Sequence, residues 1–228
     1  MKKFVLVLIL AVMATATVSA KEKPEKDTSP DRFRPKYRNI SFVSQKRIYE
    51  NAFKSDKTKF GFAFTTGRSY ILHKNPLVGM IRIGLDATWF DINYGMYQTK
   101  ALNTKYTMHQ ADISMGIGPS VHVNPIGKLG VHSYFRYNPT FATFFDTTDG
   151  FAMGGGYSSV FVTGGAVSWG VISVGVEARW GKGTYHTLFG GGDEEGGEGD
   201  DIDLGDYFSV DKMKLKTSGF RVYLGFRF

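Results

Sequence analysis

A side-chain alternation of period two recurs along most of this chain, and it limits the fold more than any other feature. The last ten residues, GFRVYLGFRF (219–228), set Phe220, Val222, Leu224, Phe226 and Phe228 on one face. Arg221, Tyr223, Gly225 and Arg227 lie on the other. Period two is the repeat of a strand; a helix repeats every three to four residues. The pattern returns in 59–67, 77–90, 109–118, 128–138 and 171–181. In 77–90, Leu77, Ile81, Ile83, Leu85, Ala87 and Trp89 oppose Arg82, Gly84, Asp86 and Thr88. In 109–118, Ala111, Ile113, Met115 and Ile117 oppose Gln110, Asp112, Ser114 and Gly116. Segment 156–167 reads as a strand whose two faces are both mixed. Twenty-eight glycines, with many Phe and Tyr, suit a chain of strands and tight turns.

The pattern predicts strands over 59–72, 77–91, 109–123, 128–145, 156–167, 171–182 and 217–228. Short turns at 73–76, 124–127 and 168–170 alternate with longer connections at 91–108, 146–155 and 183–216, so neighbours are antiparallel and the two ends differ. A closed antiparallel barrel with both termini at one end needs an even strand number. The missing strand falls on 37–50, YRNISFVSQKRIYE, where Ile40, Phe42 and Ile48 align and Lys46 interrupts them. The expected fold is all-β: a transmembrane, antiparallel, up-and-down barrel of eight strands, with long loops at one end and tight turns at the other.

Residues 1–20 read as a signal peptide. Lys2 and Lys3 precede an apolar run to Ala16, and Val18-Ser19-Ala20 supplies the cleavage pattern. The apolar run is shorter than the roughly 20 residues of a spanning helix. Cleavage before Lys21 would place the rest of the chain outside the cytoplasm. Residues 21–36, charged and with three prolines, read as a flexible segment. There is no cysteine, hence no disulfide framework and no acylated N-terminal Cys. No other apolar run is long enough for a helical span. The formal charge of +7 is uneven: residues 193–206 hold eight acids and no base, whereas 21–47 hold nine bases against four acids.

The strand lengths indicate which face meets what. Expected strands of 12 or more residues exceed the usual five to six of soluble sheets and cover the roughly 9–11 needed to cross a bilayer. The apolar faces carry large side chains. Aromatics gather toward strand ends, among them Trp89, Phe90, Phe144, Phe145, Tyr157 and Trp180. The polar faces hold small residues and isolated charges of both signs. An eight-stranded barrel has an interior just wide enough for side chains, so those charges would pair there. The expected lumen network is Arg82, Asp86, Asp112, His132, Arg136, Glu177, Arg179 and Arg221, with Tyr134, Tyr223 and Arg227 beside them. A soluble β-sandwich would turn the apolar faces inward instead.

The signal peptide, the absence of cysteine, the alternating strands and the terminal FRVYLGFRF resemble bacterial outer-membrane β-barrel proteins over residues 37–228. Strand number and loop pattern resemble the small OmpA/OmpX-like and porin-family barrels. The resemblance implies an outer-membrane location, contact with outer-membrane lipid and lipopolysaccharide, and recognition of the last strand by the barrel-assembly machinery. Phe220, Val222, Leu224, Phe226 and Phe228 would carry that assembly signal. It implies no activity.

Other constellations are weaker. GGGDEEGGEGDDIDLGD (190–206) could offer oxygen ligands to Ca²⁺ from Asp193, Glu194, Glu195, Glu198, Asp200 and Asp201. It lacks EF-hand spacing, and a solvated acidic loop is the simpler reading. An enzyme would need a base beside a nucleophile. His132 and Ser133 are adjacent in a strand and so point apart. His122 and Ser120 share a face but sit near the turn end. His109 stands three positions from Asp112. No catalytic residue, cofactor or nucleic-acid partner follows. The sequence points to a non-enzymatic role in envelope structure or surface contact and adhesion through the loops. The alternatives are a small porin-like channel with an Arg-rich lumen and, third, a lipid-modifying enzyme.

Overall fold

A strand with one apolar and one polar face must bury or partner both, and its backbone N–H and C=O groups need neighbours on either side. Closing the sheet on itself meets both demands, because a barrel has no edge. The computed structural model describes residues 33–49, 55–73, 75–101, 104–146, 152–190 and 212–228. They form eight strands: β1 Lys36–Tyr49, β2 Ser55–Ile71, β3 Ile81–Ala101, β4 Thr104–Val123, β5 Leu129–Asp146, β6 Ala152–Trp169, β7 Ile172–Gly190 and β8 Lys212–Arg227. Each pairs antiparallel with the next, and β8 closes on β1. Both termini of the barrel and the turns 72–80, 124–128 and 170–171 lie at one end. Lys36 and Phe228 exchange backbone hydrogen bonds of 3.0 Å there.

The register fixes the barrel's stagger. Starting at Asn39, paired residues run Thr65, Asp91, Ser114, Thr140, Ser158, Gly183 and Leu215. The path returns to β1 at Tyr49, ten residues beyond its start. A non-zero stagger requires strands tilted from the barrel axis, and eight strands leave an interior that side chains can fill. Bulky inward side chains fit because glycines lie under them. A Cβ on Gly175 would overlap the Tyr223 ring, and one on Gly67 the Tyr37 ring.

The apolar side chains stand on the outside. Ile40, Phe42, Phe62, Ile113, Ile117, Val174 and Phe220 are all exposed, whereas Asn39, Ser41, Thr65, Asp112, Ser114, Glu177 and Arg221 are buried. This is a soluble domain's arrangement turned inside out. In β6 the inner face is itself partly apolar: Val160 and Val162 pack with Tyr134 in the lumen. That is why 156–167 shows no polar face in sequence.

β2 begins at Ser55 and β6 at Ala152, each four residues before its expected start, and three departures are larger. β3 and β4 run through most of 91–108, read above as a connection, and leave only 102–103 between them. Likewise β7 continues to Gly190 and β8 begins at Lys212, so strands cover both flanks of the expected 183–216 loop. The first turn is centred on Val78 (φ 51°) and Gly79 (φ 74°), beyond the expected 73–76, and an isolated bridge pairs Leu77 with Ile81. Phe144, grouped above with the outer aromatics, points inward and packs on Ala142, Tyr185 and Leu215.

Candidate functional site

The lumen gathers nearly all the buried charge, and it is built in three layers. The central layer holds Asp86 and Asp91 from β3, Arg136 from β5, Glu177 and Arg179 from β7, and Arg221 from β8. Arg136 binds Asp86 at 3.1 Å and Glu177 on the opposite side. Its guanidinium also donates to the Tyr37 hydroxyl at 2.9 Å and to Thr88, and lies 4.1 Å from the Tyr134 ring centroid. Asp86 accepts from Tyr37 at 2.7 Å and Ser69 at 2.8 Å. Arg221 donates to both oxygens of Asp91, at 2.9 and 3.0 Å, and approaches Glu177 at 3.6 Å. Arg179 lies 3.3 Å from Asp91. Three carboxylates thus face three guanidiniums. A buried charge is tolerable only when paired in this way.

Toward the loop end, Arg47 lies 3.6 Å over the Tyr97 ring, pairs with Asp56 at 3.2 Å and donates to Gln110 at 2.9 Å. Asp112 completes this layer, accepting from Gln110 at 2.6 Å and Asn93 at 2.8 Å. Toward the termini, His122 and His132 stack with centroids 5.2 Å apart, and Arg227 meets His132 Nε2 at 2.6 Å. Phe33, ahead of β1, sits edge-on to His122, with the Arg82 guanidinium 5.6 Å from its ring.

The structure therefore brings Asp86, Arg136, Glu177, Arg179 and Arg221 into one cluster. Asp112 belongs to the layer above it. His132 and Arg82 lie near the turn end, where Arg82 is only half-buried. Phe220, Val222, Leu224, Phe226 and Phe228 are exposed on the outer wall of β8 and just beyond it. Asp193, Glu194, Glu195, Glu198, Asp200 and Asp201 lie outside the described residues. His109 bonds through Nδ1 to the Tyr94 hydroxyl at 2.6 Å and is only half-buried, whereas Asp112 is buried in the lumen. Ser120 Oγ and His122 Nε2, though on one face, make no hydrogen bond to each other.

Sequence reading missed Asp91, the carboxylate between two arginines. A bulge is the reason. Between Thr88 and Asp91, β3 carries one more residue than β4. Trp89 and Phe90 both face outward, and the phase flips so that Asp91, Asn93 and Tyr97 face in. The signal was visible as two aromatics in succession followed by D-I-N-Y-G-M-Y, which alternates again one position out of step.

No protein-family model and no curated protein matches the chain. Among solved structures it is similar to Neisserial surface protein A, with 12% identity and a TM-score of 0.45, covering 85% of this chain and 97% of that one. It is similar also to the outer-membrane protease OmpT from Escherichia coli, with 10% identity and a TM-score of 0.45, covering 92% and 100%. A third is Ail, the attachment invasion locus protein of Yersinia pestis, with 12% identity and a TM-score of 0.43, covering 86% and 100%. The chain is a closed, eight-stranded, antiparallel barrel with an apolar outer wall and a cross-linked, charged interior, the architecture its resemblance to small outer-membrane barrels implies.

Proposed function

We propose that the protein is an outer-membrane barrel that acts through its surface, with a lumen that carries no solute. Its role is then non-enzymatic: envelope structure, or contact and adhesion through the loops opposite the termini. The observation that carries this is the position of Arg136. One side chain bonds at once to Tyr37 of β1, Asp86 of β3 and Glu177 of β7, so it ties together walls on different sides of the barrel. Arg221 and Asp91 repeat the tie from β8 to β3. An open channel would need those charges apart and hydrated. The outer wall supports the location, because contiguous exposed apolar surface on this scale marks a membrane or protein partner.

Planar-bilayer recording tests the lumen. The reading expects no discrete conductance steps from the folded protein. Reproducible steps would instead favour the porin-like alternative. Migration on a gel tests the class: a folded barrel kept cold in detergent runs differently from the boiled chain, and identical migration would count against it.

A further inference from the structure

The lumen's charges do not balance at the termini end. In the central layer three carboxylates face three guanidiniums, and toward the loops Asp56 and Asp112 outnumber Arg47. Toward the termini no described Asp or Glu points inward. Arg227 is nevertheless buried there, at 6% exposure. Arg47, Arg136, Arg179 and Arg221 each reach a carboxylate, whereas Arg227 makes no ion pair among the described residues. Its Nη2 donates to His132 Nε2 at 2.6 Å, and its Nη1 has only a long contact of 3.5 Å with the Arg34 carbonyl. A guanidinium only donates, so the imidazole accepts from it and holds it without cancelling its charge. The Nε of Arg47, Arg136 and Arg221 is shut in without a partner, but that of Arg227 is not. A buried cation lacking an anion is costly, so the position calls for one from outside the chain.

A cavity of about 790 Å³ opens at the same place, the mouth of the lumen. His122, His132 and Arg227 line its inner part, and Gly130 and Ser168, paired across β5 and β6, leave the room. Arg34 and Lys128, both exposed, stand at its rim, so three cations and no carboxylate line it. His122 is 4% exposed, and its Nε2 finds no partner. The stack on His132 and the edge contact with Phe33 fix that ring. The volume falls within the roughly 300–1,000 Å³ of small-molecule sites. A positioned guanidinium with further cations nearby suits phosphate: the arginine fork binds two oxygens and leaves the third for an ammonium group. The central ion pairs close the lumen behind the cavity, so it is a blind pocket entered from the termini end. Its inner part is made of lumen side chains, which favours a dissolved ligand over a lipid, since lipid meets the outer wall.

We propose that this mouth binds a small phosphorylated solute of about the size of a sugar phosphate, its phosphate among Arg227, Arg34 and Lys128 and the rest of it beside Gly130 and Ser168. Such a site adds to the surface role proposed above and does not depend on it. Isothermal titration of the full chain, folded in zwitterionic detergent, compares glucose 6-phosphate, inorganic phosphate, glucose and dihexanoyl phosphatidic acid. Three variants run beside the wild type: Arg227→Gln, the rim pair Arg34→Gln/Lys128→Gln and, as a control on the outer wall, Lys46→Gln/Lys57→Gln. Cold-gel migration first establishes which proteins form the barrel. Failure of the wild type at that step refutes the membrane-barrel reading, whereas a folded wild type without the expected binding refutes this site alone. If Arg227→Gln does not fold, the rim pair decides.

The expected result is that glucose 6-phosphate binds the wild type and the outer-wall control alike, and that glucose does not bind. Its affinity should fall at least about tenfold in Arg227→Gln and about threefold in the rim pair. No binding of glucose 6-phosphate by the folded wild type overturns the site, whatever inorganic phosphate does. Unchanged affinity in either mouth variant overturns it too, as does an equal loss in the outer-wall control or equal binding of glucose. Binding of phosphatidic acid without glucose 6-phosphate would assign the mouth to a lipid head group. If glucose 6-phosphate binds only after Glu22, Glu25, Asp27 and Asp31 are replaced by Gln or Asn, the mouth belongs to the chain's own N-terminal acids and the proposal fails.

Discussion

Replacing Asp91 by Asn removes one negative charge from the most enclosed part of the lumen. Asp91 is 3% exposed and Arg221 0%. Asn at position 91 keeps the shape and can still accept a hydrogen bond, but Arg221 and Arg179 would then share a layer with only two carboxylates. Breaking a buried pair by removing one partner costs about 3–5 kcal/mol. Arg221 keeps a distant approach to Glu177 at 3.6 Å. The expected loss is therefore near the lower bound, about 3 kcal/mol, or about a hundredfold in the folded-to-unfolded ratio. Adding Arg221→Met deletes the orphaned cation and fills its space with an unbranched apolar chain. The double variant should recover about 1–2 kcal/mol relative to Asp91→Asn, because residues in one network couple by amounts of this order. Urea unfolding of the protein folded into phospholipid vesicles, followed by tryptophan fluorescence, measures both quantities. Asp91→Asn within about 0.5 kcal/mol of wild type, the level of an ordinary surface substitution, would refute the reasoning. A double variant less stable than Asp91→Asn would refute it as well.

Three further expectations use the same measurements. Val78 holds a left-handed φ of 51° on a β-branched residue, so Val78→Asn should stabilise the barrel by about 1 kcal/mol, read as a higher urea midpoint. Gly175→Leu drives a side chain into the Tyr223 ring and should destabilise by about 1–3 kcal/mol, with unchanged stability showing that the ring does not rest there. Removing Phe228 should lower the yield of inserted barrel in cells more than it lowers the unfolding midpoint of protein folded in vitro. Normal yield would separate the terminal strand from assembly.

Much of the fold was legible because the membrane-barrel pattern is local. Each outward Phe, Ile or Val in β4 and β8 alternates with an inward polar residue, so facing and strand order follow from short stretches and parity. β1 was the weakest in sequence, since Lys46 breaks its apolar face, and that lysine stands outward opposite Lys57 of β2. The centre of the lumen was legible except for one carboxylate. Asp86, Arg136, Glu177, Arg179 and Arg221 sit on regular alternation and could be placed inward from sequence. Asp91 could not, because the bulge at Trp89 and Phe90 moves it to the other face. Arg47 was missed because the weak apolar pattern of 37–50 left its polar face unassigned, and Asp56 and Tyr97 were missed for another reason. The loop-end extensions of β2 and β3 are rich in Lys, Thr, Gln and Asp, residues that read as loop until pairing across strands shows them in register. Which inward charge meets which is set by the ten-residue stagger, a property of closure that no single segment contains.

The central claim is that the apolar face meets lipid and the polar face fills the lumen. The chain has no native cysteine, so single cysteines can be placed at Ile113, Ser114, Met115 and Ile117 along β4 without background. Each is labelled with an environment-sensitive fluorophore after folding into vesicles that contain a bromine-labelled lipid. Strong quenching at 113, 115 and 117 with little labelling or quenching at 114 is the expected result. Quenching at 114 with protection at its three neighbours would mean that the apolar face is buried against protein, and would contradict the barrel's orientation toward lipid.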